Sequence, residues 1–297
     1  MKIAVTGGSG AIGSYVCDEL IRAGHEAWSL DRTPPRLGVE FRQVDLTSLE
    51  ATREAVRGAD QIVHLAAIPD PYLGHPLEQV IGENTVTSYT VFEAAREEGI
   101  GRVVYGCSDS STGFGIHHVT LVPKYVPIDE HHPVCPHEAY SLSKHFGERI
   151  GAYYAEAFGI KVVSLRYMWV WTARSADAAR EIVAKARDGV VPDKADSFGA
   201  HIAVHDVARA CAASVEYEFP VSDDVPFEAF FLSARDTFFP TPTLKLLERS
   251  LGECPPVRDP EYFEVNAYAS VFDIRKARRH LGWAPQFDWR HFDDWEF

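Results

Sequence analysis

A tyrosine and a lysine lie one helical turn apart in the segment Tyr140–Lys144, which reads YSLSK. The surrounding residues have helical periodicity, so the two side chains share one helix face. A tyrosine with a pKa of about 10 is a weak base at neutral pH, and a neighbouring ammonium group lowers that pKa by stabilising the phenolate. Such a pair can accept a hydroxyl proton while hydride leaves the same carbon. Tyr-x-x-x-Lys by itself is common on helix surfaces and means little, but it becomes a strong signal when it follows the fifth predicted strand in a chain that also has a glycine-rich loop after its first strand.

A glycine-rich loop, TGGSGAIG, lies between the first predicted strand and the first predicted helix. Unpaired N–H groups and the positive end of the helix dipole bind a pyrophosphate at such a position. Gly7 permits the tight turn, Gly10 lets phosphate approach the backbone, and Gly13 lets the helix pack closely on the sheet. The loop therefore predicts a dinucleotide site formed by Gly7, Ser9, Gly10, Ala11, Ile12 and Gly13.

An aspartate, Asp31, ends the second predicted strand about 20 residues after the loop, where dinucleotide-binding folds place an acid. Its carboxylate can accept hydrogen bonds from the ribose hydroxyls, and it would repel a 2′-phosphate, which favours NAD. The guanidinium of Arg32 can tolerate that phosphate, so NADP stays possible. The alternative reading of Asp31 is an acid that only caps a loop.

Short apolar runs alternate with amphipathic stretches over the first two-thirds of the chain. Strands are predicted at 2–6, 25–30, 40–44, 61–66, 102–107, 161–165 and 229–233, and helices at 11–23, 48–57, 77–98, 137–158, 175–187, 205–216, 241–250 and 273–280. Strands in alternation with helices predict an α/β fold with a doubly wound parallel sheet of the Rossmann type. We expect an NAD(P)-binding core at 1–166, and at 167–297 a small, mixed substrate-binding cap with segments returning to the core.

Composition excludes several classes of protein. The 297 residues are 46% hydrophobic and 24% charged, the balance of a globular chain, and the net charge of −14 argues against nucleic-acid binding. No apolar run approaches the roughly 20 residues of a membrane span, and no cleavable leader is expected. Five cysteines without CxxC spacing fit a reducing compartment, so we expect a cytoplasmic protein.

Five histidines cluster before the Tyr140 segment. They are His117, His118, His131, His132 and His137. Their spacing matches no zinc pattern, so we expect no metal and a loop near the mouth of the active site.

These motifs, in this order, resemble the extended short-chain dehydrogenases/reductases of the NAD-dependent epimerase/dehydratase family. The resemblance runs from residue 1 to about 215, with a weaker similarity in DIRKARRHLGWAP near the C-terminus. It implies that Ser108 hydrogen-bonds the reacting oxygen beside Tyr140, with Lys144 as the third catalytic group. It also implies a homodimer joined by helices around 80–98 and 138–158. The cofactor-lining residues that it implies are Asp45, Leu46, Leu65, Ala66, Ala67, Asn84, Tyr140, Lys144 and Tyr167.

Two subgroups of this family compete for the reaction. The stretch YGCSDSSTGFG is most similar to uronate dehydrogenases, and residues 199–207 lack the Arg with which nucleotide-sugar enzymes hold a diphosphate. The resemblance therefore favours an NAD(P)-dependent dehydrogenase that oxidises a free aldose or uronate at the anomeric carbon to a lactone. The alternative is a nucleotide-sugar 4-epimerase or dehydratase with tightly bound NAD. A third possibility, a non-catalytic NAD-binding regulatory protein, has no need of Ser108, Tyr140 and Lys144 together.

Four residues are candidates for contact with the sugar substrate. Trp169 can stack on a pyranose ring or fill the core. Asp109 and Ser110 can hydrogen-bond sugar hydroxyls, although an acid is unfavourable beside a uronate carboxylate. Arg174 can meet an anionic substrate or lie on the surface. The sequence leaves a neutral aldose and a uronate equally open.

Overall fold

A seven-stranded parallel sheet forms the centre of the computed structural model, which describes residues 1–35, 38–69, 74–114, 121–193, 195–220 and 224–297. The strands run in the order β3-β2-β1-β4-β5-β6-β9. Their bounds are β1 Lys2–Thr6, β2 Glu26–Asp31, β3 Glu40–Gln43, β4 Gln61–His64, β5 Arg102–Ser108, β6 Lys161–Tyr167 and β9 Phe227–Leu232. This confirms the doubly wound sheet. The strand order reverses between β1 and β4, and ligands of such sheets bind beyond the carboxyl ends of the strands at that point.

Helices cover both faces of the sheet. They are α1 Gly13–Arg22, α2 Leu49–Val56, α3 Leu77–Glu97, α4 Ala139–Phe158, α5 Ala176–Arg187, α6 Val204–Val215, α7 Thr243–Leu251, α8 Pro260–Val265 and α9 Arg275–His280. Helices α1 and α6 pack together on one face, and α2, α3 and α4 on the other. Side chains along β1 point alternately to the two faces, so Ile3 and Val5 belong to one core and Ala4 to the other. This is why the buried strands read as continuous apolar runs.

The residues after β6 add a strand to the sheet and also form a small C-terminal unit. Strand β9 pairs with β6 at the edge of the main sheet. Strands β7 (Trp169–Trp171) and β8 (His201–Ala203) form a two-stranded parallel sheet. Around it lies a third apolar cluster, in which Trp171, Phe238 and Phe292 are buried. In the described ranges, no helix is both long and apolar enough to cross a membrane.

Candidate active site

The glycine loop folds back tightly on the sheet. Gly7 has φ +69°, and a Cβ built there would lie 2.8 Å from the backbone nitrogen of Ala66. A Cβ on Gly13 would lie 2.1 Å from the carbonyl oxygen of Gly7, which also accepts a hydrogen bond from the Gly10 N–H at 2.9 Å. The close contact of Gly13 is thus with the loop itself. The missing side chains at the glycines let phosphate oxygens reach backbone N–H groups at the first turn of α1.

Asp31 lies at the end of β2, beside this loop. One carboxylate oxygen accepts a hydrogen bond from the Ser9 N–H at 3.2 Å, and the other accepts one from the Thr33 N–H at 3.2 Å. Ser9 and Ser29 hydroxyls lie 2.9 Å apart. The acid therefore joins the loop to β2 and stays partly exposed, in position for a ribose.

Arg32, the residue that kept NADP possible, is engaged by two acids. Its guanidinium lies 3.3 Å from Asp45 and 3.1 Å from Glu83. Hydrogen bonds from Thr47 and from Arg32 hold the pKa of Asp45 below its ordinary value. A 2′-phosphate would have to compete with both carboxylates for this guanidinium.

The turn after β4 is fixed by Thr6, whose hydroxyl accepts hydrogen bonds from the N–H groups of Leu65 at 3.1 Å and Ala66 at 3.2 Å. Ala67 follows this turn at intermediate burial. Leu46 is buried on the other side of β1, 7% exposed. The segment expected to line the cofactor is therefore held in place by the first strand.

The side-chain amide of Asn84, in α3, hydrogen-bonds to other residues of the protein. Its oxygen accepts from the Ile68 N–H at 2.7 Å, and its nitrogen donates to the Ile68 carbonyl at 3.1 Å and to the Ser143 hydroxyl at 3.0 Å. Asn84 thus connects the turn after β4 to the helix that carries Tyr140. These hydrogen bonds leave its amide little capacity for a direct contact with the cofactor.

The three candidate catalytic residues meet at the carboxyl ends of β5 and β6. Ser108 ends β5 and is in register with Tyr167 of β6. Tyr140 lies in the first turn of α4. The ammonium of Lys144 donates to the Gly106 carbonyl at 2.8 Å and lies 5.8 Å from the centre of the Tyr140 ring. The local sequences that predicted this site are thus brought together by the parallel strands.

Burial dominates the electrostatics of this group. It raises the pKa of Tyr140 above its ordinary value, while a hydrogen bond with Ser108 acts in the opposite direction. Burial also lowers the pKa of Lys144 to about 8. In the protein alone, removing water from the phenolate outweighs the help of the Ser108 hydrogen bond. The lowered Tyr140 pKa was expected from Lys144 together with the positive nicotinamide ring of a bound cofactor, and it stays a prediction for that state.

A cleft of about 880 Å³ extends from this group towards the C-terminal unit. It brings the glycine-loop residues Ala11 and Ile12 together with Tyr140 on one side and Trp169 on the other. Its lining includes Ser108, Asp109, Ser110, Tyr140, Tyr167, Met168, Trp169, Ser197, Phe238 and Phe239. The Trp169 side chain is 38% exposed, so a flat face of the indole is open to a ligand.

Arg174 is not brought to this cleft. It lines a different cavity of about 840 Å³, together with Ser9, Gly10 and Ala11 of the glycine loop. A turn that begins at Thr172, whose hydroxyl accepts a hydrogen bond from the Arg174 N–H at 3.2 Å, carries the side chain to that side. The expected contact of Arg174 with the substrate has no support in this arrangement.

The chain is similar to known proteins in sequence and in fold. The sequence model of the NAD dependent epimerase/dehydratase family matches residues 3–222. The chain belongs to this family. The family's cofactor is NAD, as the glycine loop and Asp31 indicated.

Members of the epimerase/dehydratase family with different activities resemble the chain. A uronate dehydrogenase of Pseudomonas syringae pv. tomato is 29% identical over 56% of the chain and 58% of its own length. An L-arabinose 1-dehydrogenase (NAD(P)(+)) of Haloferax volcanii is 32% identical over 61% of the chain and 70% of its own length. A crystal structure of a UDP-galactose 4-epimerase superposes with a TM-score of 0.70 at 25% identity, covering 98% of the chain and 96% of that structure. The match spans little more than half of the uronate dehydrogenase.

Three contributors to this epimerase/dehydratase-family site were missed in the sequence. Glu138 caps α4 and accepts a hydrogen bond from the Tyr140 N–H at 2.6 Å, which fixes the start of the helix. The sequence predicted this helix from residue 137, which placed Glu138 inside it; the observed helix begins at Ala139, with Glu138 as its N-cap. Gly8 passes so close to Ser29 that a Cβ would lie 2.8 Å from its hydroxyl. Ser197, which contacts Asp109, comes from a distant segment with no local signal.

The histidine cluster forms no metal site within the described residues, where no group of three or more potential ligands is positioned to hold an ion. His132 is buried, and its Nε2 accepts a hydrogen bond from the Lys124 N–H at 2.9 Å. His117 and His118 lie outside the described residues.

Proposed function

We propose that the protein is an NAD-dependent dehydrogenase that oxidises a free sugar at the anomeric carbon to a lactone. The observation that carries this proposal is the cleft in which Tyr140 and Ser108 lie between the glycine loop and the C-terminal unit. The uronate and arabinose dehydrogenases among its relatives support it. We further propose that residues 1–166 hold the cofactor and 167–297 form the substrate side.

The residues present fit NAD. The glycine loop has no room for a Cβ at Gly7 or Gly13, and the Asp31 carboxylate lies beside the loop, where it can accept hydrogen bonds from an adenosine ribose. The two acids that hold Arg32 favour NAD over NADP. When bound, NAD supplies the hydride acceptor.

Side chains of the protein would accept the proton that the sugar hydroxyl loses. As the C1–H bond breaks with its electron pair, the C1 hydroxyl transfers its proton to the Tyr140 phenolate, and the carbon–oxygen double bond of the lactone forms. Ser108 would hold the reacting oxygen beside Tyr140. Lys144, anchored by the Gly106 carbonyl, contributes positive charge that favours the phenolate.

Rates of cofactor reduction, measured with a panel of free sugars, test this function directly. Purified protein is mixed with NAD or NADP and a set of free aldoses and uronic acids, and absorbance at the wavelength of reduced cofactor is followed. Net NADH formation from a free sugar, with lactone as the product, is the expected result. Absence of reduced cofactor with every sugar would refute the dehydrogenase.

A nucleotide-sugar 4-epimerase is the second candidate, because similarity to such enzymes runs along the whole chain. A UDP-glucose 4-epimerase of Streptococcus mutans is 26% identical over 97% of the chain and 93% of its own length. NAD that stays bound through purification, with interconversion of UDP-glucose and UDP-galactose, would establish this function. Bound NAD without turnover of either substrate class would indicate a regulatory protein.

We also propose a homodimer formed through α3 and α4. The two helices pack against each other on one face of the sheet, and they expose Val86, Tyr89, Phe146 and Tyr153. A second copy packed there would remove these side chains from water. All five cysteines are unpaired, which supports a reducing compartment and our proposal of a cytoplasmic protein.

A further inference from the structure

The cleft contains a buried carboxylate that the proposed chemistry does not use. Asp109 is 3% exposed and lies directly after Ser108. Its two oxygens accept hydrogen bonds from the hydroxyls of Ser108 at 3.1 Å and Ser197 at 3.0 Å. Within the described residues, no ion pair involves Asp109. Burial raises its pKa to about 6, so it carries a negative charge at pH 8.

The cations near this carboxylate are committed elsewhere. Lys185 also lines the cleft, but its ammonium lies 2.7 Å from Glu181, and its side chain is 59% exposed, where solvent screens its charge. Arg166 is buried in a hydrogen-bonded pair with Glu148. Arg174 lines the other cavity. Lys144, the remaining cation of the site, donates to the Gly106 carbonyl and forms no ion pair with Asp109 in the described part of the chain. The cleft thus presents a carboxylate without an ion-pair partner next to the reacting oxygen.

We propose that this arrangement makes the enzyme select neutral aldoses and disfavour sugar acids, an inference that rests on the proposed function. A substrate carboxylate bound near Asp109 would be repelled in surroundings with little water. A hydroxyl, by contrast, is a donor and can bond to the Asp109 carboxylate, which already accepts hydrogen bonds from Ser108, Ser110 and Ser197. The other walls suit an uncharged ring, because Trp169, Phe238 and Phe239 line the cleft and are aromatic and apolar.

The test compares sugars that differ only at C6. Wild-type kcat/KM is measured at pH 8 for D-glucose against D-glucuronate and for D-galactose against D-galacturonate. We expect the aldose of the better pair to exceed its acid by at least about tenfold. An acid that matches or exceeds its aldose would overturn the selection while leaving the dehydrogenase intact. No turnover of either sugar class would refute the proposed function itself.

Two variants test whether Asp109 causes the preference for neutral aldoses over sugar acids. Asp109→Asn keeps an oxygen acceptor but removes the charge, and should shift the ratio of kcat/KM towards the acid by at least about fivefold. Asp177→Asn removes the same charge from a fully exposed position on α5 and should leave the ratio unchanged. An unchanged ratio in Asp109→Asn would overturn the assignment.

A measurement on the wild type covers the case in which Asp109→Asn does not fold. The uronate is added as an inhibitor of oxidation of its matched aldose. We expect an inhibition constant at least about tenfold above the KM of the aldose, because the acid is repelled from the same cleft. An inhibition constant equal to that KM would overturn the inference.

Discussion

Replacing Asp109 with Asn should stabilise the protein in a pH-dependent way. Burial raises the pKa of Asp109 from the ordinary 3.8 to about 6. Because the folded state holds the proton more tightly, the free energy of unfolding falls as pH rises from about 4 to about 6. The difference of about 2 pKa units corresponds to about 3 kcal/mol at neutral pH. Asn bears no proton to lose, so the variant escapes this cost while its amide oxygen can still accept from Ser108 or Ser197.

The assay is urea unfolding at intervals between pH 4.5 and 8, followed by the fluorescence of the six tryptophans. The difference in unfolding free energy between Asp109→Asn and wild type should grow by about 2 kcal/mol over this range, because roughly a third of the full effect is already present at pH 4.5. Most of the growth should occur below about pH 6.5, with a plateau above it.

Asp177→Asn is the matched control for the unfolding series. The Asp177 side chain is fully exposed, so its removal should give a difference that is nearly flat with pH. A flat difference for Asp109→Asn as well would refute the reasoning, since it would mean that the buried carboxylate has an ordinary pKa. A difference that shrinks with rising pH would mean that a cation compensates it.

Four further predictions concern the cofactor, the chemistry and assembly. Tyr140→Phe should lower kcat by about 10²–10⁴-fold with NAD affinity unchanged in a binding titration, and full activity would remove Tyr140 from its role. Asp31→Ala should weaken NAD by roughly tenfold relative to NADP, through loss of charged hydrogen bonds to the ribose; an unchanged ratio of the two dissociation constants would contradict this. Gly13→Ala should lower the melting temperature and weaken NAD, because its Cβ would lie 2.1 Å from the Gly7 carbonyl oxygen, and unaltered values for both would show that the loop relaxes freely. Tyr153→Glu should turn a dimer into a monomer in sedimentation, whereas a wild-type monomer would refute the proposed interface.

The sequence predicted the parts of the structure that depend on neighbours along the chain. Strands β1 to β6 and the glycine loop were found because apolar runs, helical periodicity and turn residues are local signals. Strands β7 and β8 were missed, because each has three residues and its partner lies some thirty residues away. Helix α8 was also missed, because its six residues bury one side chain, Phe263, and so show no apolar repeat.

The candidate site divides in the same way. The residues of the Tyr140 motif were found from their spacing, but the surroundings that set their pKa values come from several elements. The hydroxyl of Ser197 reaches Asp109 from a segment with φ +45°, and no local pattern predicted that contact. The side to which Arg174 points depends on a turn after β7, itself a missed strand. The burial of these side chains, and the side to which each one points, therefore could be learned only from the tertiary structure.

The position of β9 has a consequence for synthesis of the chain. Strand β6 ends at Tyr167, but the strand that pairs with its outer edge ends only at Leu232. At about 5–20 residues per second, a ribosome needs roughly 3–13 s to make the intervening stretch. During that interval β6 presents an unpaired row of N–H and C=O groups, the kind of edge that recruits strands from other chains. The nascent protein thus still has an open strand edge after its cofactor loop and Tyr140 motif have been made.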